Sequence, residues 1–200
     1  MTRVTVIGTT SWGTTLAMML ARKGAEVRLW ARTQEEAVAL ERARENQRLL
    51  PGFPFPPGIR ATASVEEATA GADMVVLVVP SRSLRENVRG LRPHLDSRSI
   101  VLSATKGLEK ASANRMSQIL EEELPKAFHS RISVLSGPNL AKEIAQGMPA
   151  STVVASQDEE VALRVQELFM SSTFRVYTNT DVVGVELGGA LKNIIALGAG

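Results

Sequence analysis

The chain has 200 residues, 44% of them hydrophobic and 22% charged, with a formal net charge of +2. That is enough apolar material for a sizeable core, and the basic side chains are scattered rather than grouped, which argues against nucleic acid or an anionic membrane as partners. Zero cysteines exclude a disulfide framework, thiol catalysis and cysteine-ligated metal, while His94 and His129 lie far apart with no cluster around them, so no metal site is expected. Nothing like a signal peptide precedes the first apolar run and no run approaches the roughly 18 residues of a membrane span, so a soluble, cytoplasmic protein is expected.

In chain order, Val4-Thr5-Val6-Ile7 is an apolar strand that runs through Gly8-Thr9-Thr10-Ser11-Trp12-Gly13 into a helix. A strand, a glycine-bearing turn and a helix start make a place for a pyrophosphate, because free backbone N–H groups and the positive helix end both favour an anion. The dinucleotide fingerprint wants glycine at three positions; here they read Gly8, Thr10 and Gly13, so the position of closest approach carries a side chain. A second strand at 26–30 follows where such a βαβ unit requires one. Further strands are expected at 59–62, 74–79, 99–103, 132–135, 150–155 and 174–178, several of them unbroken apolar runs of the kind buried on both faces. Helical spacing or capping residues mark 13–23, 33–44, 64–70, 81–89, 113–124, 139–146 and 158–169. The alternation predicts a doubly wound α/β domain with a mostly parallel sheet, its last two strands pairing antiparallel at an edge. The Pro-rich segment 51–58 reads as a rigid loop, because it cannot be helical and the α/β rhythm resumes immediately after it.

Three strand-to-helix corners fall where open α/β sheets place their crevice: Val79-Pro80-Ser81, Ala104-Thr105-Lys106-Gly107-Leu108-Glu109 and Gly137-Pro138-Asn139, the last with Asn139 as a helix N-cap. Singly each is an ordinary loop; together they open on one sheet edge. From Asp181 onward the chain is an almost wholly apolar helix that needs a surface to cover it. Gly188 and Gly189 precede Lys192 by four and three residues, so they share its face and leave bare backbone beside one ammonium. Spacing alone also allows Lys192 to snorkel to solvent while the glycines pack on a neighbouring helix.

The motifs Gly8 to Ala17, Trp30-Ala31-Arg32, Val79-Pro80-Ser81, Ala104 to Glu109, Gly137-Pro138-Asn139-Leu140-Ala141-Lys142-Glu143 and Glu186-Leu187-Gly188-Gly189-Ala190-Leu191-Lys192-Asn193 occur in that order nearly from end to end. In that combination the chain resembles the bacterial NAD(P)-dependent glycerol-3-phosphate dehydrogenases. The resemblance implies a Rossmann-like dinucleotide-binding domain at 1–180, followed at 181–200 by the first helix of an all-α substrate domain whose remainder is absent. It implies NAD(P) as cofactor, bordered by Gly8, Thr10, Ser11, Trp12, Gly13, Arg32, Pro80, Lys106 and Ala141. It places Lys106, Gly137, Asn139, Lys192 and Asn193 at the substrate, with Lys192 as catalytic proton acceptor and Lys106 orienting or polarising the same oxygen. The implied reaction is reversible hydride transfer between nicotinamide C4 and C2 of sn-glycerol 3-phosphate or dihydroxyacetone phosphate, supplying glycerol 3-phosphate for phospholipid synthesis. The implied partner is a phosphorylated triose or glycerol, with no nucleic acid and no membrane insertion, and a homodimer is left open.

Two positions depart from the family: Thr10 replaces the usual second glycine, and Leu49 stands where an aromatic residue is more common near the adenine. An intact nucleotide-binding half with a one-sided cleft is expected to bind nucleotide without turnover. A lysine in an apolar groove beside a second cation has its pKa pushed down, which is expected to make Lys192 available as a base. The end of the second strand supplies Arg32 and no carboxylate, so NADP is expected to be accepted or preferred; Glu35 and Glu36 read as solvated charges of a helix start that keep NAD in play. The alternatives are another two-lobed dehydrogenase, such as a ketopantoate reductase-like enzyme, and a non-catalytic nucleotide-binding sensor.

Overall fold

The computed structural model describes residues 1–200, the side chain of Asn193 excepted. Eight strands alternate with helices: β1 (Arg3–Ile7), α1 (Ser11–Arg22), β2 (Glu26–Trp30), α2 (Gln34–Ala43), β3 (Ile59–Thr62), α3 (Val65–Thr69), β4 (Met74–Leu77), α4 (Leu84–Leu91), β5 (Ile100–Ser103), α5 (Met116–Glu123), β6 (Ile132–Ser136), α6 (Ala141–Ala145), β7 (Ala150–Ser156), α7 (Glu159–Phe169), β8 (Phe174–Asn179) and α8 (Val182–Ala199). They form one sheet in the order β3-β2-β1-β4-β5-β6-β7-β8. The chain winds outward from β1 to β3, then returns to β4 and winds the other way, so the order reverses between β1 and β4. In such sheets the crevice lies beyond the carboxyl ends of the strands at that reversal.

Strand residues alternate between two cores. Val4, Val6, Met74 and Val76 enter the core built with α1, α6 and α7, while Ile7, Val75 and Leu77 enter the one built with α4 and α5. Burial on both faces explains why these strands read as continuous apolar runs rather than alternating ones. Side-chain caps start the helices: Thr10 accepts from Gly13 N–H, Thr33 from Glu36 N–H, and Asp158 from Glu160 and Val161 N–H.

The strand expected at 74–79 leaves the sheet after Leu77, and the helix expected at 81–89 is a 3-10 turn, Ser81–Ser83, followed by α4. The helix expected from 113 begins at Met116, because Ala113 takes a left-handed φ of 59°. Sheet direction differs from expectation at the last two junctions. β7 is antiparallel to β6, but β7 and β8 are parallel to each other. The physical reason is connection length: a five-residue α6 spans only about 7.5 Å, too little to carry the chain back along β6, whereas the 11-residue α7 makes a full crossover between β7 and β8.

The final helix α8 starts at Asp181, whose carboxylate accepts from Gly184 N–H at 2.8 Å, and packs on β6 and β7. Its first half is held while Ile194, Ile195 and Leu197 are exposed, so the covering surface expected for this apolar helix reaches only part of it. Among the described residues no helix is long and apolar enough to cross a membrane.

Candidate active site

The turn after β1 is shaped by its neighbours. Gly8 has φ 115°, and a Cβ there would sit 2.5 Å from the Val78 carbonyl oxygen, so only glycine lets the turn lie against the end of β4. Thr10 Oγ1 accepts from Gly13 N–H at 3.0 Å and reaches the Val78 carbonyl at 3.4 Å. The side chain at the departed glycine position is therefore the cap of α1. Because Gly13 N–H is capped and Thr14 N–H bonds the Thr10 carbonyl at 2.9 Å, the first-turn donors left by helix geometry are those of Ser11 and Trp12. A cleft of about 420 Å³ opens beside the turn, lined among others by Gly8, Thr10, Arg32, Glu36, Leu49 and Pro80.

Asn46, absent from the residues expected at the site, pins this turn from below. It is buried, its Nδ2 donates to the Thr9 carbonyl and to Thr14 Oγ1, both at 2.8 Å, and its Oδ1 accepts from Leu49 N–H at 3.1 Å. One amide in a loop has no periodicity to betray it. Glu36 corrects an expectation. Rather than a solvated helix-start charge, its carboxylate forms part of the cleft wall: Oε1 accepts from Thr9 Oγ1 at 2.7 Å and from Arg48 Nη2 at 3.1 Å, and Oε2 from the Arg32 backbone N–H at 3.2 Å. A carboxylate thus does stand at the end of β2, delivered from α2.

The second half of the site lies beyond β5 and β6. Lys106, in the loop after β5, donates through Nζ to the Gly137 carbonyl at 2.6 Å. Burial, and secondarily the Lys192 charge, push its pKa below the ordinary lysine value. A depression of the kind expected for a lysine beside a second cation is thus present at Lys106. Lys106 makes no pair with Glu109, which instead bonds Arg85 and Ser112. Lys192 itself is exposed and lines a cleft of about 360 Å³ with Ser136, Gly137, Pro138 and Gly189.

Asn139 does not cap α6; Leu140 takes that position, and Asn139 Nδ2 donates to the Ser151 carbonyl at 2.9 Å. Its Oδ1 is buried with no partner among the described residues. Ala141 joins the two halves, its carbonyl accepting from Thr15 Oγ1 of α1 at 3.1 Å. The expectation for the Asn193 side chain lies outside the described residues.

Two contacts fix α8. A Cβ on Gly189 would overlap Ser136 Oγ, so this glycine is what lets the helix settle on β6; Gly188 has open space around it. Glu186, which sequence reasoning passed over, accepts from Ser117 N–H at 2.8 Å, Ser117 Oγ at 2.6 Å and Arg115 Nη1 at 2.6 Å. A single acid in an apolar helix was the available signal. The turn at 8–13 and the corners at 80, 106 and 137 all lie at the carboxyl ends of β1, β4, β5 and β6, as the sequence predicts.

A sheet that reverses between β1 and β4, with an open-backbone turn and free helix-start N–H donors at the reversal, defines a dinucleotide-binding α/β protein. Residues 3–162 match the family described as NAD-dependent glycerol-3-phosphate dehydrogenase N-terminus, and the chain belongs to that family. It is 52% identical over 201 residues to a protein of Dehalococcoides mccartyi named glycerol-3-phosphate dehydrogenase [NAD(P)+], covering 100% of this chain and 56% of that one. A protein of the same name from Moorella thermoacetica is 49% identical, covering 98% of this chain and 58% of the relative. The chain therefore spans little more than half the length of these relatives. The crystal structure of glycerol-3-phosphate dehydrogenase from Coxiella burnetii superposes with a TM-score of 0.91 at 34% identity, covering 98% of this chain and 59% of the other. A ketopantoate reductase from Ralstonia eutropha, at 20% identity and a TM-score of 0.67, shares the fold alone.

Proposed function

We propose that this chain is the nucleotide-binding portion of an NAD(P)-dependent glycerol-3-phosphate dehydrogenase, with 1–180 as the dinucleotide domain and 181–200 as the start of a helical substrate domain. The observation that carries the reading is the pair of lysines beyond β5 and β6, on the sheet rim that also carries the turn after β1: Lys106 bonded to the Gly137 carbonyl at 2.6 Å, its proton loosened by burial and by the Lys192 charge. The residues present fit a dinucleotide, since Gly8 lets the turn lie against the end of β4 and line the cleft, and helix geometry leaves two first-turn N–H donors at that turn.

Bound there, NAD(P) supplies the hydride acceptor or donor at nicotinamide C4. Ser11 and Trp12 hold the pyrophosphate through their N–H groups, with Gly8, Thr10 and Gly13 shaping the turn, Arg32 facing the adenosine ribose, and Pro80 and Ala141 bordering the nicotinamide half. Lys192 takes the proton of the C2 hydroxyl of sn-glycerol 3-phosphate as the hydride leaves C2, and returns it to the carbonyl oxygen of dihydroxyacetone phosphate in reverse. Lys106 donates to the same oxygen. Burial and the Lys192 charge ease the loss of a proton from Lys106, which suits a site where protons must move. Asn139 and Gly137 border the substrate, and the orphaned Asn139 Oδ1 offers an acceptor. The open flank of Lys192 supports the further reading that these 200 residues bind nucleotide without turning substrate over. A cytoplasmic location, a homodimer and supply of glycerol 3-phosphate to phospholipid synthesis belong to the same proposal, the first resting on the cysteine-free composition.

The test is Lys192→Met in the full-length enzyme. Methionine keeps the apolar stem, so nucleotide Kd should hold within about twofold, while kcat/KM falls by at least roughly a thousandfold, the scale of a lost proton acceptor plus a lost substrate contact. Retention of more than about a tenth of wild-type kcat/KM overturns the assignment.

A further inference from the structure

We propose that Glu36 is a specificity-determining residue that makes this chain favour NAD(H) over NADP(H); the inference rests on the reading of the cleft as a dinucleotide site. In doubly wound folds the adenosine ribose lies at the end of β2, where a carboxylate bonding the 2′-hydroxyl selects NAD and a guanidinium accommodates the 2′-phosphate of NADP. This chain presents Arg32 at the end of β2 and Arg48 in the wall of the same cleft. Counting only residues at the strand end suggests an NADP site.

The geometry points the other way. Glu36 sits in the first turn of α2, and its carboxylate folds back onto the end of β2 instead of facing solvent. Its side chain is 23% exposed, against 74% for Arg48. Three donors hold it: Thr9 Oγ1 from the turn after β1 at 2.7 Å, the Arg32 backbone N–H at 3.2 Å and Arg48 Nη2 at 3.1 Å. The anchoring groups come from three separate chain segments, so the carboxylate position is set by the fold and not by a flexible stem. An ionised carboxylate has about four lone-pair sites. Two donors meet Oε1 and one meets Oε2, which leaves an acceptor on Oε2 for a hydroxyl. A ribose 2′-hydroxyl has a proton to give it. A 2′-phosphate has none, and brings negative charge against a carboxylate in a cleft where screening is incomplete. The Arg48 guanidinium that could offset this charge is already paired with Glu36 Oε1. Arg32, exposed and lining the cleft, keeps NADP(H) within reach as the weaker ligand.

The experiment is equilibrium titration of NAD⁺ and of NADP⁺ into the 200-residue chain, read by calorimetry and by tryptophan fluorescence, to which Trp30 in the cleft wall contributes, for the wild type, Glu36→Gln and Glu36→Ala, with circular dichroism on each variant. The expected result is tighter binding of NAD⁺ by the wild type, and a shift of the Kd ratio toward NADP⁺ of about tenfold or more in both variants, or about 1.4 kcal/mol. A wild type that binds NADP⁺ more tightly than NAD⁺ overturns the inference without need of any variant. So does a ratio that moves less than about twofold in a folded Glu36→Gln or Glu36→Ala chain. Failure of both nucleotides to bind at millimolar concentration overturns the dinucleotide reading of the cleft and this inference with it.

Discussion

Thr10 shows how one side chain can serve the scaffold at a position the ligand is supposed to own. Its hydroxyl accepts from Gly13 N–H, a donor that would otherwise face the anion, and reaches the Val78 carbonyl of the next strand over. Thr10→Gly exchanges the cap for a free N–H. A Thr-to-Gly change at an N-cap costs a few tenths of a kcal/mol, and the looser unfolded chain adds a similar amount, so the urea midpoint should fall by the equivalent of under about 1 kcal/mol. Nucleotide affinity should stay equal or improve. A marked loss of affinity in the titration would mean that the hydroxyl itself holds phosphate. That Thr10 departs from the fingerprint is legible in the sequence; that it caps α1 is visible only once Gly13 N–H and the Val78 carbonyl are placed around it. Glu36 and Asn46 were illegible for a stronger reason, since each acts through contacts with a turn 27 or more residues away in sequence.

Elements were easier to read than their pairings. Every expected strand is present: burial on both faces gives the inner strands unbroken apolar runs, burial of one face gives β2 and β8 an alternation, and both patterns survive without any knowledge of neighbours. Strand direction depends instead on whether the intervening helix is long enough to cross over, which is why the antiparallel junction fell at β6–β7 and not at β7–β8. The placement of α8 was half legible. Gly189 signals close approach, and the approach is to Ser136 on a strand, whereas Glu186 gave no hint of gripping the start of α5. Its three bonds to Arg115 and Ser117 should contribute the stabilisation of a charged, mostly buried hydrogen-bonded group. Glu186→Ala should therefore cost about 2 kcal/mol locally, leaving Ser117 N–H unpaired. Hydrogen exchange should show the amides of α8 losing protection while those of β1, β4 and β5 keep theirs; unchanged protection in α8 would remove Glu186 as its anchor.

Over the whole molecule, one ionic network ties α4, α5 and the loop that carries Lys106. Arg85 bonds Glu109, Glu122 and Glu123 at 2.8, 2.7 and 2.5 Å, and Arg89 adds a second cation on Glu123 at 2.8 Å. The Arg85 guanidinium, with help from Ser112, pulls the Glu109 carboxyl down to about 2. Unfolded, that carboxyl titrates at about 4.3. A folded value below the unfolded one gives stability that is complete above the unfolded pKa and disappears as pH falls toward 2. The urea midpoint of the chain should therefore decline on acidification below about pH 4.3, and Glu109→Gln should flatten part of that decline while lowering the midpoint at pH 7. A pH profile unchanged by the substitution would show that the network contributes nothing to acid stability. The same loss should loosen the segment from Thr105 to Arg115, because Glu109 is its tether to α4.

The reversed direction of β7 and β8 has a consequence for where the chain is heading next. Had both strands run with the other six, β8 would finish at the same rim as the clefts and a helix leaving it would travel away from them. Running backwards, β8 finishes at the far rim, and α8 makes a switchback toward the lysine-lined end of β6. From Asp181 to Lys192 the helix climbs about 16 Å, close to the length of a five-residue strand such as β6. Each residue of helix also turns its side chain by about 100°, so height and bearing are set together by the count of residues between cap and ammonium. Asp181 marks the zero of that scale, and the contact of Gly189 with Ser136 marks a fixed point along it. Lys192 is delivered to its rim by arithmetic written into a strand pair that runs the wrong way.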